Sequence, residues 1–345
     1  MQVTRSSTTS LALRLDPLSP FERAALAEVH FARRDFEDAR EAWELGIYLS
    51  EPDAGPDAEY QLAEMQWNIG ICHWRSAGNL RDTGRRRSAL EQARVAFAES
   101  LELIDDADAR GPYHYWMGRL LFDLCQYEDA IDHFQRAAGV ASRDQLQARL
   151  MLGRSKLVCM DYEGAEAAFR SVITDLRELR LESSEPIGVE FNEERPWPTL
   201  LVSSLLGLAS SLAERNVGYT EAHEHIRSAR DVAVGLDQGA DQGACMAECE
   251  ETEGWIAYLE DDLAHAADSL GRALELTPDP RAYARLAHVR ARQLEMQGES
   301  ADLGAIRRDG IRACELAANL DVDDRYTQTI RDARRRLADL AGSAG

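Results

Sequence analysis

The sequence predicts an all-α chain built as a solenoid of stacked helix pairs, and two observations predict it. The first is a self-match: Gly118 falls on Gly153, Tyr127 on Tyr162, Ala130 on Ala165, Phe134 on Phe169 and Ala137 on Val172, every pair 35 residues apart. A fixed step of this size, with small and large apolar residues in register, marks repeats that bury their faces only against neighbouring copies. The second is the shape of each copy. Two helical patterns flank a short turn, Cys125-Gln126-Tyr127 or Met160-Asp161-Tyr162, and the second pattern sets Ala130, Phe134 and Ala137, or their equivalents, at helical spacing. A glycine inside a helix costs about 1 kcal/mol against alanine. Its recurrence at 118 and 153 therefore requires a neighbour that passes close.

Taken in order, residues 1–18 are polar around Leu11, Leu13 and Leu15 and read as a loose, flexible N-terminal arm. The first repeat spans about Pro20 to Pro52, with Ala27 and Ala39 twelve apart, Phe36 at the turn, and Trp43 and Gly46 as the large and small residues. The second starts near Ala58 and carries Gly70, Ala93, Phe97 and Ser100. Between its helices an insertion, SAGNLRDTGRRRS, lengthens the turn. Arg81, Arg85, Arg86 and Arg87 there read as a solvated loop or helix start, or else as a docking loop for an acidic partner. The third and fourth repeats are the matched pair. Pro186, Pro196 and Pro198 then break the helical period, so 181–197 reads as a linker or insertion, with Gly188–Phe191 as a short extended piece. Repeats five to seven follow over 198–320 through Gly207 and Ala222, Gly254 and Ala266, and Ala287 with a degenerate second helix. Residues 321–345 hold a capping helix with Arg-rich exposed positions and a tail, as the end of a stack requires. Repeats one to four would thus occupy 19–180.

The chain has 345 residues, 61 acidic against 39 basic, and a net charge of −22. That balance argues against nucleic acid, whose backbone is bound through a basic footprint. It suits basic partners or plain solubility. Lys156 is the only lysine. Six cysteines are scattered within helical patterns, which suggests reduced thiols. No leader or membrane-spanning run is visible, and a cytoplasmic protein without membrane association is expected.

The small residue of the first helix, the tyrosine at the turn and the Ala…Phe…Ala spacing of the second resemble the tetratricopeptide repeat, over about residues 20–320. The resemblance implies a right-handed superhelical solenoid of about seven helix pairs, whose first helices line a concave groove. It also implies that the groove is faced by the residues three before, one after and four after each small residue. Carried over copy by copy, these are Ala24, Glu28 and Phe31; Trp67, Ile71 and Trp74; Tyr115, Arg119 and Phe122; Leu150, Arg154 and Leu157. A partner-binding site on Phe31, Trp67, Ile71, Trp74, Tyr115, Arg119, Phe122 and Arg154 is expected, since Trp, Tyr and Arg dominate binding hot spots. The later repeats supply Ser204, Leu208 and Ser211; Glu251, Trp255 and Tyr258; Ala284, His288 and Ala291. Glu251, Trp255 and Tyr258 form a secondary site, more acidic, that a basic segment would suit. The family's carboxylate-clamp members use Lys and Asn at such positions, whereas this chain has Arg.

No catalytic constellation is present. Cys245 and Cys249 stand one helical turn apart, a spacing that two thiolates can share with a soft metal. No further Cys or His completes a structural-zinc pattern, so no metal and no cofactor is expected. His223 and His225 have the wrong spacing for a metalloprotease helix, and GRSK at 153–156 lacks the glycine-rich loop of a phosphate site. The expected function is a non-enzymatic protein-interaction module, an adaptor, regulator or chaperone-like protein. The alternative is an acidic regulatory subunit that masks an enzyme or toxin through charge-steered binding.

Overall fold

The computed structural model describes residues 19–50, 56–80, 82–106, 109–140, 144–182, 197–236, 239–297, 303–320 and 326–342. The expected arm 1–18, Arg81 and the piece Gly188–Phe191 lie outside the described residues. Among those described there are fifteen helices and no strand. The chain forms two compact units, Met1–Ser142 and Arg143–Gly345.

The first unit holds α1 (Pro20–Ala32), α2 (Phe36–Leu49), α3 (Pro56–Gly78), α4 (Thr83–Glu102), α5 (Gly111–Asp123) and α6 (Tyr127–Gly139). The second holds α7 (Gln145–Val158), α8 (Tyr162–Glu182), α9 (Trp197–Glu214), α10 (Tyr219–Val234), α11 (Ala240–Leu259), α12 (Leu263–Leu276), α13 (Pro280–Gln297), α14 (Leu303–Leu320) and α15 (Thr327–Gly342). Each helix packs against the next within its pair, and each pair packs on the following one inside its unit. In the second unit α7, α9, α11 and α13 adjoin in sequence, so the first helices of successive pairs share one side. The last helix, α15, closes α13 and α14 through Ile330, Ala333 and Leu337.

The recurring glycines explain this packing. A Cβ at Gly118 would stand 2.7 Å from the Phe134 ring, one at Gly153 2.7 Å from Phe169, and one at Gly70 2.5 Å from Phe97. In these three pairs the second helix presses its large ring onto the bare backbone of the first. The turns repeat as faithfully. Arg34, Cys125, Met160, Asn216 and Asp261 all take left-handed φ between 55° and 62°. The next amide in each case returns to a carbonyl five residues back, as in Asp35 to His30, Gln126 to Leu121 and Asp161 to Lys156. This is the Schellman closure, which satisfies carbonyls at a helix end.

One expectation changes. The insertion at 76–88 is not a long turn: α3 runs on to Gly78 and α4 begins at Thr83, capped by Asp82, whose carboxylate accepts from the Arg85 amide at 2.7 Å. The extra residues lengthen the two helices, because nothing in them breaks the helical period before Asn79. Most of the segment 181–197, expected as a linker or insertion, lies outside the described residues (183–196). Leu176 of α8 and Leu200 and Leu205 of α9 belong to one core cluster, and the division between compact units falls at 142/143.

In the first unit His114 and His133 face each other with their Nδ1 atoms 3.1 Å apart. Burial first, then neighbouring positive charge (His133, Arg136 and Arg110 at His114; Arg136 at His133), pushes both down to about 4 from 6.5. A depressed histidine binds fewer protons folded than unfolded, so stability present above pH 6.5 is lost as pH falls toward 4. Urea midpoints are expected to drop across that window, and a His114→Phe, His133→Leu variant to flatten the drop. A slope unchanged by the substitution would refute the assignment.

Candidate functional site

The position three before each small residue turns inward. Trp67 is 7 % exposed, Tyr115 1 %, and Leu150, Ser204, Glu251 and Ala284 are likewise buried. A first helix is flanked by a neighbouring pair as well as by its own partner, and either can cover this position. Trp67 packs edge-on to Tyr113 of the next pair at 5.5 Å, and Tyr115 lies 6.3 Å from Phe134 of its own partner helix. Ile71, one after Gly70, is also sealed at 1 %. Trp67, Ile71 and Tyr115, expected on the groove, are core side chains that offer no surface.

Phe31 and Phe122 are half-buried, and each meets the first residue of the following helix: Phe31 on Phe36 at 5.5 Å and Phe122 on Tyr127 at 5.1 Å. They close the inter-helix turn and keep one edge toward solvent. Trp74, Arg119 and Arg75 come together between α3 and α5. The Trp74 indole is half-buried, stands edge-on to Trp116 at 5.3 Å, and donates its Nε1–H to Asp123 Oδ2 at 2.8 Å. The Arg119 guanidinium lies 5.4 Å from the Trp74 ring and 5.8 Å from Trp116, and donates to Tyr115 Oη at 3.0 Å. Arg75 approaches the Trp74 ring at 5.1 Å. Cations over the negative face of an indole are attracted by its quadrupole. The result is a partly open aromatic platform carrying two guanidiniums. Trp116, Arg75 and Asp123 were missed from the sequence because they lie outside the three carried-over positions. Trp116 did stand three residues from Arg119, close enough on a helix to meet it.

In the second unit Glu248 and Glu251 are already matched. Arg154 of α7 donates to Glu248 of α11 at 3.0 Å, and Ser203 of α9 to the same carboxylate at 3.2 Å. Glu251 is 3 % exposed and held between Arg285 and Arg281, the latter at 2.7 Å. Glu251 is thus an internal counter-ion and presents no charge to a basic segment. Trp255 stacks on Tyr258 at 5.0 Å with a 21° tilt, the Arg285 guanidinium lies 4.5 Å from the indole ring, and Glu214 accepts the Trp255 Nε1–H at 2.7 Å. Arg281, Arg285 and Glu214 belong to neighbouring repeats, and no local pattern around Trp255 points to them.

Cys245 and Cys249 are buried, and burial pushes the Cys249 thiol up to about 12, so it stays protonated and is a poor metal ligand. Among the described residues no helix is long and apolar enough to cross a membrane.

No protein-family model and no curated protein matches the sequence. Solved structures do match the fold. A tetratricopeptide repeat protein from Parabacteroides merdae is 12 % identical, covers 92 % of this chain and 98 % of its own, and superposes with a TM-score of 0.64. The apo form of RapI is 15 % identical over 93 % of this chain and all of its own, with a TM-score of 0.51. NprR in complex with its cognate peptide NprX is 15 % identical over 93 % of this chain and 88 % of its own, also at 0.51. Helix pairs in this register, with a glycine under a large ring in three of the pairs, give the chain the tetratricopeptide-repeat fold of those structures.

Proposed function

We propose that the protein is a non-enzymatic binding module that holds a segment of another protein against the first helices of its pairs. The Trp74–Arg119 platform of the first unit is the principal anchor, with Arg75 and Phe122 beside it. Arg154, Trp255 and Tyr258 give the second unit its own contact surface. The observation that carries this reading is a tryptophan that stays half-open while its ring is flanked by two guanidiniums and its N–H is already satisfied by Asp123. Such a side chain arrives pre-oriented, and binding loses little rotamer freedom. That NprR is described with a peptide bound supports a peptide segment as the ligand class.

The alternative, charge-steered masking by an acidic surface, draws on the net charge of −22. It is the weaker reading for these faces, since Glu248 and Glu251 are spent on arginines within the chain.

Capture of partners from the source cell, followed by affinity measurement at low and high salt, tests the proposal. Trp74→Ala is expected to weaken capture by about thirtyfold, as hot-spot truncations do. Arg119→Gln, which leaves the indole in place, is expected to weaken it by about tenfold. Circular dichroism checks that both variants remain folded. Affinity untouched by either change, but abolished by salt, would replace this reading with acidic masking.

A further inference from the structure

The first helix-pair turn carries a cluster that no partner-binding role absorbs. His30, in the last turn of α1, and Asp35 and Asp38, at the start of α2, bring one ligand atom each to within 4.8 Å of one another, and all three are half-buried. The His30 Nδ1 is shut off from solvent and has no hydrogen-bond partner; its nearest carboxylate oxygen, on Asp38, is 3.8 Å away, beyond hydrogen-bond reach.

The fourth repeat shows what the same positions do when their charges are balanced. Lys156 occupies the place of His30, Asp161 that of Asp35 and Gly164 that of Asp38, each 126 residues on. There the Lys156 ammonium donates to Asp161 Oδ2 at 3.0 Å, while Asp161 Oδ1 caps the helix by accepting from the Gly164 amide at 3.0 Å. A Cβ at Gly164 would fall 2.2 Å from the Asp161 carboxylate and 2.4 Å from Nζ, so a side chain at this position runs straight into the space of the pair. In the first repeat that side chain exists, and it is a second carboxylate. The cation is gone, replaced by an imidazole. Asp35 also makes no side-chain capping bond, whereas Asp161 and, in the sixth repeat, Asp262 both cap their helices. The first repeat therefore differs from the fourth in three ways at one spot: one positive charge fewer, one carboxylate more, and a capping group released.

We infer that His30, Asp35 and Asp38 bind a divalent transition-metal ion, which stands where the ammonium stands in the fourth repeat. One imidazole nitrogen and two carboxylates form a mixed N/O set that suits zinc, nickel or cobalt better than calcium or magnesium, whose sites are built of oxygen. A shared ion about 2.1 Å from each ligand needs ligand atoms about 3–3.5 Å apart, which small side-chain rotations from the present separations provide. Three protein ligands at a turn leave further positions for water. The ion clips the end of α1 to the start of α2 and steadies the first pair. This inference does not depend on the proposed partner site.

Titration of zinc chloride into the full chain in a non-chelating buffer, read by calorimetry and by thermal unfolding, tests it. One saturable zinc ion per chain and a raised unfolding temperature are expected. His30→Lys rebuilds the ammonium–carboxylate pair of the fourth repeat, so it is expected to fold normally and to lose zinc binding. Asp38→Asn is expected to weaken binding by at least about tenfold. No saturable binding up to millimolar zinc, or binding of equal stoichiometry and affinity in folded His30→Lys, would overturn the assignment.

Discussion

Phe169→Ala is expected to destabilise the second unit by about 3–5 kcal/mol, the range for emptying a buried aromatic site. Phe169 has no exposed surface. Its ring lies against two bare backbones at once: a Cβ on Gly153 would stand 2.7 Å from it and one on Gly207 2.5 Å. Gly153 is on α7 and Gly207 on α9, so this one ring from α8 joins the first helices of two successive pairs. Removing it opens a cavity that α7 and α9 cannot close without sliding past each other. The complementary change, Gly207→Ala, forces a methyl into the ring and is expected to cost about 1–3 kcal/mol by overpacking. Combining Gly207→Ala with Phe169→Leu should cost less than the sum of the two, because the smaller side chain vacates the space the methyl takes. Urea unfolding followed by circular dichroism measures all three. A loss below 1 kcal/mol for Phe169→Ala would mean that the ring is not the joint between these pairs.

Glu251→Ala is expected to cost roughly 2–3 kcal/mol, below the range for a wholly buried pair because water reaches one of its partners. The Glu251 side chain is 4 % exposed; Arg285 is 19 % exposed and Arg281 40 %. Without the carboxylate, two guanidiniums face each other across a mostly dry gap, and Arg285 loses the charge that balances it beside Trp255. The same change at Glu248, whose side chain is 26 % exposed and whose partner Arg154 is 31 % exposed, is expected to cost less than about 1 kcal/mol. Thermal and urea unfolding of the two variants give the comparison. Equal losses would indicate that burial is not what distinguishes the two carboxylates. A basic peptide should bind the wild-type second unit no more tightly than it binds other acidic chains, since the charge at Glu251 is already taken.

The helix pairs were legible because their signal is local and repeated. A glycine or alanine twelve residues before an alanine, with a large ring four residues further on, states that two adjacent helices approach closely, and it states this several times over. The turns at Cys125-Gln126-Tyr127 and Met160-Asp161-Tyr162 were legible, but not that Cys125 and Met160 take left-handed φ there without a glycine. The groove was only half legible. Helical periodicity says which stripe of a helix is apolar, but a first helix has neighbours on two sides: Tyr113 of the next pair covers Trp67, whereas Phe134 of its own partner helix packs on Tyr115. Trp74 and Arg119 remain partly open although Trp74 packs on Trp116 and Asp123 of the next pair.

The amino-acid sequence alone determined the class of fold, the step of the repeat and the close contacts of glycine with ring, because each rests on residues within one or two repeats of each other. Tertiary structure alone decided which expected groove residues reach solvent, and that Glu251 is consumed by Arg281 and Arg285. It also decided that His30 meets two carboxylates without a cation. These outcomes depend on burial and on pairing across repeats, where electrostatics acts through space and sequence separation carries no information about distance.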